Sequence, residues 1–268
     1  MIRRPVFLLC AAAAILMCAP ILLTLFTALK PTNEAAVPWM PPTRVTFEHF
    51  AAVWTSGGFS RYFLTSFVIS AADALLMIAM ASLAAYGITF MDFAGKAALR
   101  VFFLFGLMIP ATAIVLPLYS SLRGLGLINT RVGVILADVA LAMPIFVFLF
   151  ESYFKKVPNA LREAAKVDGA NEWQIYRRIV LPISMPVVVT AGLLEFLWSW
   201  NDLLLRLLLL PREDLRTLSV GLLMFQGSQT RDISGLSAGA VIMSAPVIAL
   251  FILFQRHFVR GMTQGALK

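Results

Sequence analysis

The sequence predicts an all-α membrane protein with six transmembrane helices. Three observations carry that prediction. Hydrophobic residues make up 60% of the 268-residue chain and charged residues 13%, against about 45–50% and about 25% in an ordinary soluble domain, so there is too little charge to build a polar shell. The apolar residues fall into six runs, about 6–29, 62–86, 99–121, 132–152, 183–209 and 237–258. Each approaches or exceeds the roughly 20 residues with which a helix crosses a bilayer core. The runs also lack the short alternating segments of a β-barrel. One transmembrane domain over residues 1–268 follows.

In chain order, Arg3 and Arg4 give the first run the charged start of a signal peptide. The run from Val6 to Leu29 is too long for a signal core and ends without a small-x-small cleavage site, which favours a retained helix. Cys10 and Cys18 lie in this run without metal-ligand spacing and read as small apolar residues. Pro31, Pro38, Pro41 and Pro42 make the next segment extended. Phe47, Phe50, Ala51 and Trp54 then share one face of a short helix, with Thr46 as its N-cap. Two readings stand for that face: a helix lying in the membrane interface, or a surface for an extracytoplasmic partner. His49 and His257 sit near helix boundaries and read as surface or interfacial residues and not as ligands.

The net charge of +8 would suggest nucleic acid in a soluble protein. Here the basic residues cluster in one loop, where Lys155, Lys156, Arg162, Lys166, Arg177 and Arg178 fall between runs four and five. Basic loops stay cytoplasmic. With six spans, both termini are then cytoplasmic, the lipid membrane is the main partner, and nucleic acid is not one.

No G-x-x-x-x-G-K-[ST], H-E-x-x-H, G-x-S-x-G or paired-cysteine signature occurs. The chain is therefore expected to be no enzyme by itself, with no catalytic residues, metal site or cofactor. If ATP drives its function, ATP and Mg belong to another subunit.

The 153–182 loop has more order than a connector needs. Pro158 presets the first turn of a short helix. Leu161, Ala164, Ala165 and Asp168 line one slim side, and Gly169 can take the left-handed turn that ends it. Asn171 is an N-cap for a second helix carrying Trp173, Ile175, Tyr176 and Ile179, and Pro182 stops that helix where the next span starts. A slim helix with a fixed turn suits insertion into a groove on another protein; a plain interfacial helix is the alternative.

Glu163-Ala164-Ala165, three residues, Gly169, nine residues, Ile179, one residue and Leu181-Pro182 resemble the EAA loop of binding-protein-dependent ABC-importer permeases. Asp168-Gly169-Ala170 is similar to the sugar-type, maltose-like branch. Five other stretches agree with that branch: Met108-Ile109-Pro110 through Leu116-Pro117-Leu118-Tyr119, Gly126-Leu127-Ile128-Asn129-Thr130, Ser199-Trp200-Asn201-Asp202, Arg216-Thr217-Leu218 and the C-terminal Gln255–Gly261. The resemblance implies that Glu163, Ala164, Ala165, Asp168, Gly169 and Ala170 form the coupling helix seated in an ATPase cleft. It also implies two ATPase subunits, a second permease of different sequence and an extracytoplasmic solute-binding protein, and it suggests that the tail from Arg260 to Lys268, otherwise flexible, docks on the ATPases. Thr65 replaces the Asn common in the family before Ser66, and Arg206 stands where an apolar residue is expected.

Charged groups inside spans are costly and face a bundle interior or a water-filled cavity. Ser66, Ser70 and Asp73 form one stripe, and Glu195, Trp198, Ser199 and Asp202 another. Asp138 stands alone in span four, and Asp202 can pair with Arg206 one turn on. The candidate solute path is Asp73, Glu195, Trp198, Trp200, Asn201 and Asp202; helix-to-helix packing is the competing role. The implied function is a permease for a sugar or related polyol. The alternatives are a polyamine, peptide or phosphate-ester permease of the same superfamily, or a secondary transporter, against which the lack of clearly interrupted helices argues. Reporter fusions after Lys268 and near Gly169 should both report cytoplasm; a periplasmic signal from either overturns this topology.

Overall fold

The computed structural model describes residues 3–31, 34, 37, 39–55, 57–228 and 232–266, and leaves out the side chains of 3–5, 228 and 256–266. Regular structure among the described residues is helical, without strands. Two compact units form, Met1–Leu64 with Thr217–Ala249 and Thr65–Arg216 with Leu250–Lys268.

Among the described residues, four helices are long and apolar enough to cross a membrane: α1 (Arg3–Ala28), α3 (Phe59–Phe90), α6 (Arg131–Phe154) and α13 (Ile233–Ala266). The count reaches six if each of two bent pairs is one span. The first pair is α4 (Lys96–Met108) and α5 (Ala111–Gly124), bent by 108°. Its cause is local: Ile109 and Pro110 are both extended, because proline pushes the residue before it out of the helical region. The second pair, bent by 79°, joins Glu172–Ile183 to α10 (Met185–Asn201). It breaks at Ser184, between Pro182 and Pro186. The expected uniform runs 99–121 and 183–209 are thus corrected to interrupted ones. A further corner follows α10, where Asp202 is extended and α11 (Leu204–Leu209) begins after Leu203.

In the first unit, the carboxylate of Glu34 accepts the Thr43 hydroxyl and, at 3.1 Å, the Thr43 N–H. The Thr43 hydroxyl, then its N–H, hold this carboxyl below its ordinary range. The short helix α2 (Glu48–Thr55) begins where Thr46 Oγ1 accepts from Glu48 N at 3.3 Å. It buries His49 and Val53, while Phe47, Ala51 and Trp54 are exposed and Phe50 is half-buried. The histidine expected at the surface or the membrane interface is therefore buried within the chain. Helix α12 (Leu218–Ser228), too short to register as a span, packs through Phe225 edge-on to Phe59 at 5.9 Å. A Cβ on Gly239 of α13 would lie 2.8 Å from the Phe59 ring. The tail read as flexible is helical in backbone to Ala266; Leu267, Lys268 and the side chain of His257 lie outside the described residues.

The second unit holds the larger core, built from Met77, Ala81 and Ala85 of α3, Phe146, Phe150 and Phe154 of α6, and Val187 and Ala191 of α10. Small residues let these helices approach closely, as lipid-embedded packing requires. Gly106 is the tightest such point between α4 and α6: an added Cβ would sit 2.6 Å from the Pro144 ring. Gly87 of α3 has nothing within 4 Å of that position. Gly106→Val should lower the melting temperature in detergent through an overpacking cost of about 1–3 kcal/mol, and Gly87→Ala should leave it unchanged or slightly raised. Equal effects would mean that the α4–α6 approach is not close.

Candidate functional site

Helix α10 ends at an ion cluster. Arg206, on α11, is fully buried. Its Nη2 lies 2.6 Å from Asp138 Oδ2 of α6, an ion pair without hydrogen-bond alignment. The same nitrogen donates to Ser199 Oγ at 2.7 Å and to the Ser199 carbonyl at 3.1 Å. Asp73 Oδ2 of α3 is 3.5 Å from it, and Asp202 Oδ2 lies 3.7 Å from Nη1. Ser199 donates to Asp73 and sits 3.0 Å from Ser70 Oγ. One guanidinium thus joins α3, α6, α10 and α11, and shares the Ser199 carbonyl, in the last turn of α10, with the Asp202 N–H, which bonds it at 3.3 Å.

This arrangement completes the sequence reading and corrects part of it. The Asp202–Arg206 pair forms, and the two polar stripes meet through Ser199 and Asp73. Asp138, expected to stand alone, is the closest partner of Arg206. Sequence reasoning missed Asp138 and Arg206 as site residues; the arginine in an otherwise unbroken leucine run was the available signal.

Beside the cluster is a cavity of about 390 Å³, lined from α4, α5, α6, α10 and α11. Its polar wall comprises Thr112, Asp138, Glu195, Ser199 and Asp202, with the Trp198 ring nearby and no Lys or Arg among the lining residues. Glu195 is 2% exposed and its Oε2 has no hydrogen-bond partner. Trp198 is about half exposed and leans on Phe146 at 5.4 Å. Trp200, expected on the path, is instead fully buried and stacked on Phe196 at 5.7 Å. Asn201 is exposed, its Nδ2 bonded to the Leu197 carbonyl at 2.8 Å. Asp73 is buried behind Ser199 rather than on the cavity wall.

The second group of candidate residues lies on the 153–182 loop. Helix α7 (Asn159–Val167) starts after an extended Pro158 and ends in a tight turn. There Asp168 N bonds Ala164 O at 3.0 Å, Gly169 N bonds Lys166 O at 3.1 Å and Ala170 N bonds Ala165 O at 2.9 Å. Gly169 has φ +81°, which a side chain would strain. Asn171 then caps α8 (Glu172–Ile175) in a reciprocal box with Gln174. A five-residue π turn, Tyr176–Val180, carries the chain into α9 (Leu181–Ile183), so Pro182 lies inside helix and does not stop it. Glu163, Ala164, Asp168 and Gly169 are exposed. Ala165 differs from the expected grouping: it and Ala170 are half-buried against the chain's own core.

A family described as binding-protein-dependent transport system inner membrane component matches residues 77–264, more than half of the chain. The chain belongs to this family. The permease is 35% identical to the probable ABC transporter permease protein YurM of Bacillus subtilis, over 93% of this chain and 83% of the relative. It is 33% identical to the trehalose transport system permease protein SugB of Mycobacterium tuberculosis, over 93% and 92%. Its fold matches a chain of a bacterial ABC transporter involved in the import of the acidic polysaccharide alginate, with a TM-score of 0.81, 21% identity and 94% of each chain covered. These relatives are transport permeases and not enzymes, and membership removes the secondary-transporter reading. The interrupted helices counted as missing from the sequence are present in this permease.

Breaking a buried ion pair by removing one partner costs about 3–5 kcal/mol, whereas replacing both by apolar residues can be neutral. Arg206→Leu should therefore lower the melting temperature strongly. Combining it with Asp73→Leu, Asp138→Leu and Asp202→Leu should recover much of the loss. A single variant as stable as the parent in detergent would show that the cluster does not hold the corner.

Proposed function

We propose that this permease is the membrane subunit of an ABC importer for a sugar or related polyol. The observation that carries the reading is the ordered loop: a short helix with Glu163, Ala164 and Asp168 facing outward and a left-handed Gly169 fixing the exit angle. An exposed, slim and internally braced element suits a cleft on another protein. In this reading the loop docks on one of two ATPase subunits, which hold ATP and Mg. A second permease of different sequence completes the path, and an extracytoplasmic binding protein delivers the solute. Both bent pairs then count as single spans of the bacterial inner membrane, with both termini cytoplasmic and one domain over residues 1–268.

The solute class rests on the cavity wall and on the relatives. Glu195, Asp202 and Ser199 offer hydrogen-bond acceptors, Trp198 offers a ring face, and no Lys or Arg lines the space. An acceptor-rich wall of this kind suits a neutral solute with many hydroxyl donors and opposes a phosphate ester. The relatives named for trehalose and for melibiose, raffinose and stachyose favour a sugar over a polyamine or peptide. Glu195, Trp198, Asn201 and Asp202 face the path, and Asp73 and Trp200 support it from within.

The test is uptake by proteoliposomes holding the permease pair and its ATPases, with the binding protein and the sugar that protein binds. Gly169→Val should abolish uptake while the chain remains inserted. Glu195→Lys should reduce it at least about tenfold by replacing an acceptor with a cation that pairs with Asp138 and Asp202 and fills the space, a penalty of roughly 1.4 kcal/mol or more. Uptake like the parent's from Gly169→Val would remove the coupling role, and from Glu195→Lys the assignment of this cavity to the path.

A further inference from the structure

The coupling loop is tied to the second long helix of the chain by side chains outside the EAA positions. Arg162 of α7 is 9% exposed, and its guanidinium lies 4.1 Å over the Phe90 ring, the last residue of α3. Its Nη2 reaches the Phe90 carbonyl at 3.5 Å. This is the negative end of the α3 dipole, where a cation is favoured. The same Nη2 lies 3.6 Å from Glu172 Oε2 on α8. The Tyr86 hydroxyl, one turn before Phe90, donates to that carboxylate oxygen. Lys166 Nζ holds the other oxygen at 2.7 Å. Tyr86 in turn packs edge-on to Tyr176 at 5.3 Å, and Tyr176 Oη is 2.8 Å from Ser82 Oγ of α3.

We propose that Arg162, Glu172 and Tyr86 form a strut that makes the coupling loop and the end of α3 move as one rigid body. This rests on the reading that the loop docks on an ATPase. The geometry separates two jobs on one short helix. Glu163, Ala164 and Asp168 face away from the chain, whereas Arg162 faces inward and grips α3 by a flat stack, a carbonyl and a shared carboxylate. Each contact resists a different displacement: the stack resists tilting, the carbonyl contact resists sliding along α3, and the Glu172 bridge fixes α8 against both helices. A charge shared among Arg162, Lys166 and the Tyr86 hydroxyl is also stronger than one neutral hydrogen bond. Arg162, Glu172 and Tyr86 are positioning residues, since none is on the outward face of α7.

The test reads rigidity directly and needs no knowledge of the solute. Cys10 and Cys18 are changed to Ala, and spin labels are placed at Ala160→Cys on α7 and Leu75→Cys on α3, both exposed. The labelled permease is assembled with its partner permease and ATPases in nanodiscs, and the distance between labels is measured by pulsed electron resonance without nucleotide and with ATP and vanadate. The parent should give the same mean distance in both states. Tyr86→Phe, which keeps the ring, and Glu172→Gln, which keeps the shape, should each give a shifted or broadened distance with ATP and vanadate only. A merely structural role would disturb both states alike. A parent distance that changes with nucleotide overturns the strut, as does an unchanged distance in both variants. Failure of the parent permease to bind any ATPase overturns the docking reading itself, and the strut with it.

Discussion

A guanidinium buried among apolar helices needs counter-charge and hydrogen bonds within reach, and the second unit is arranged to supply them. Arg206 draws on three other helices and the corner at once, through Asp73, Asp138, Ser199 and Asp202. The corner at Asp202 turns α11 out of line with α10 and places the guanidinium beside the Ser199 carbonyl. With three aspartates around one arginine, the cluster leaves acceptor capacity unused, and the neighbouring cavity is where that surplus meets open space. Loss of the arginine would strand carboxylates among leucines and remove the side-chain donor that ties the last turn of α10 to α11, so the corner, the cavity wall and the helix packing share one dependence.

The broad fold was legible because the apolar runs of a membrane protein follow from bilayer thickness and composition alone. The breaks were legible only in part. Pro110 breaks a run that is apolar on both sides, so length alone merged α4 with α5, whereas the break at Ser184 lies at the edge of the run 183–209, where Pro182 and the polar stretch before it were the signal. The corner at Asp202 carries no proline or glycine and depends on Arg206 finding Asp138, a partner 68 positions earlier in sequence. No period or spacing encodes such a pairing. His49 was misplaced for a similar reason: residues outside its own helix decide which face turns inward.

The candidate sites divide the same way. The turn at Gly169 and the cap at Asn171 were readable because turn chemistry is local, and both are present with the expected backbone. The partition of α7 into an outward face and an inward grip was not readable, since Ala164 and Ala165 are adjacent and alike. Only the position of α3 distinguishes them. The motif Ser199-Trp200-Asn201-Asp202 drew attention to the right stretch, but only Ser199 and Asp202 turn to Arg206 and the cavity, while Trp200 is buried against Phe196 and Asn201 is exposed. Trp198, just outside the motif, is the indole beside the cavity.

The outward side of the loop has a consequence for how such a protein is made. Leu161 is 45% exposed, Trp173 57% and Val167 88%, on a segment the charge pattern predicts to be cytoplasmic. Exposed apolar side chains attract other unfolded chains and the chaperones and proteases that patrol for them. In the proposed reading, a newly inserted chain carries a visible mark of being unassembled until a partner covers the loop. Its abundance in a cell would then follow the supply of that partner.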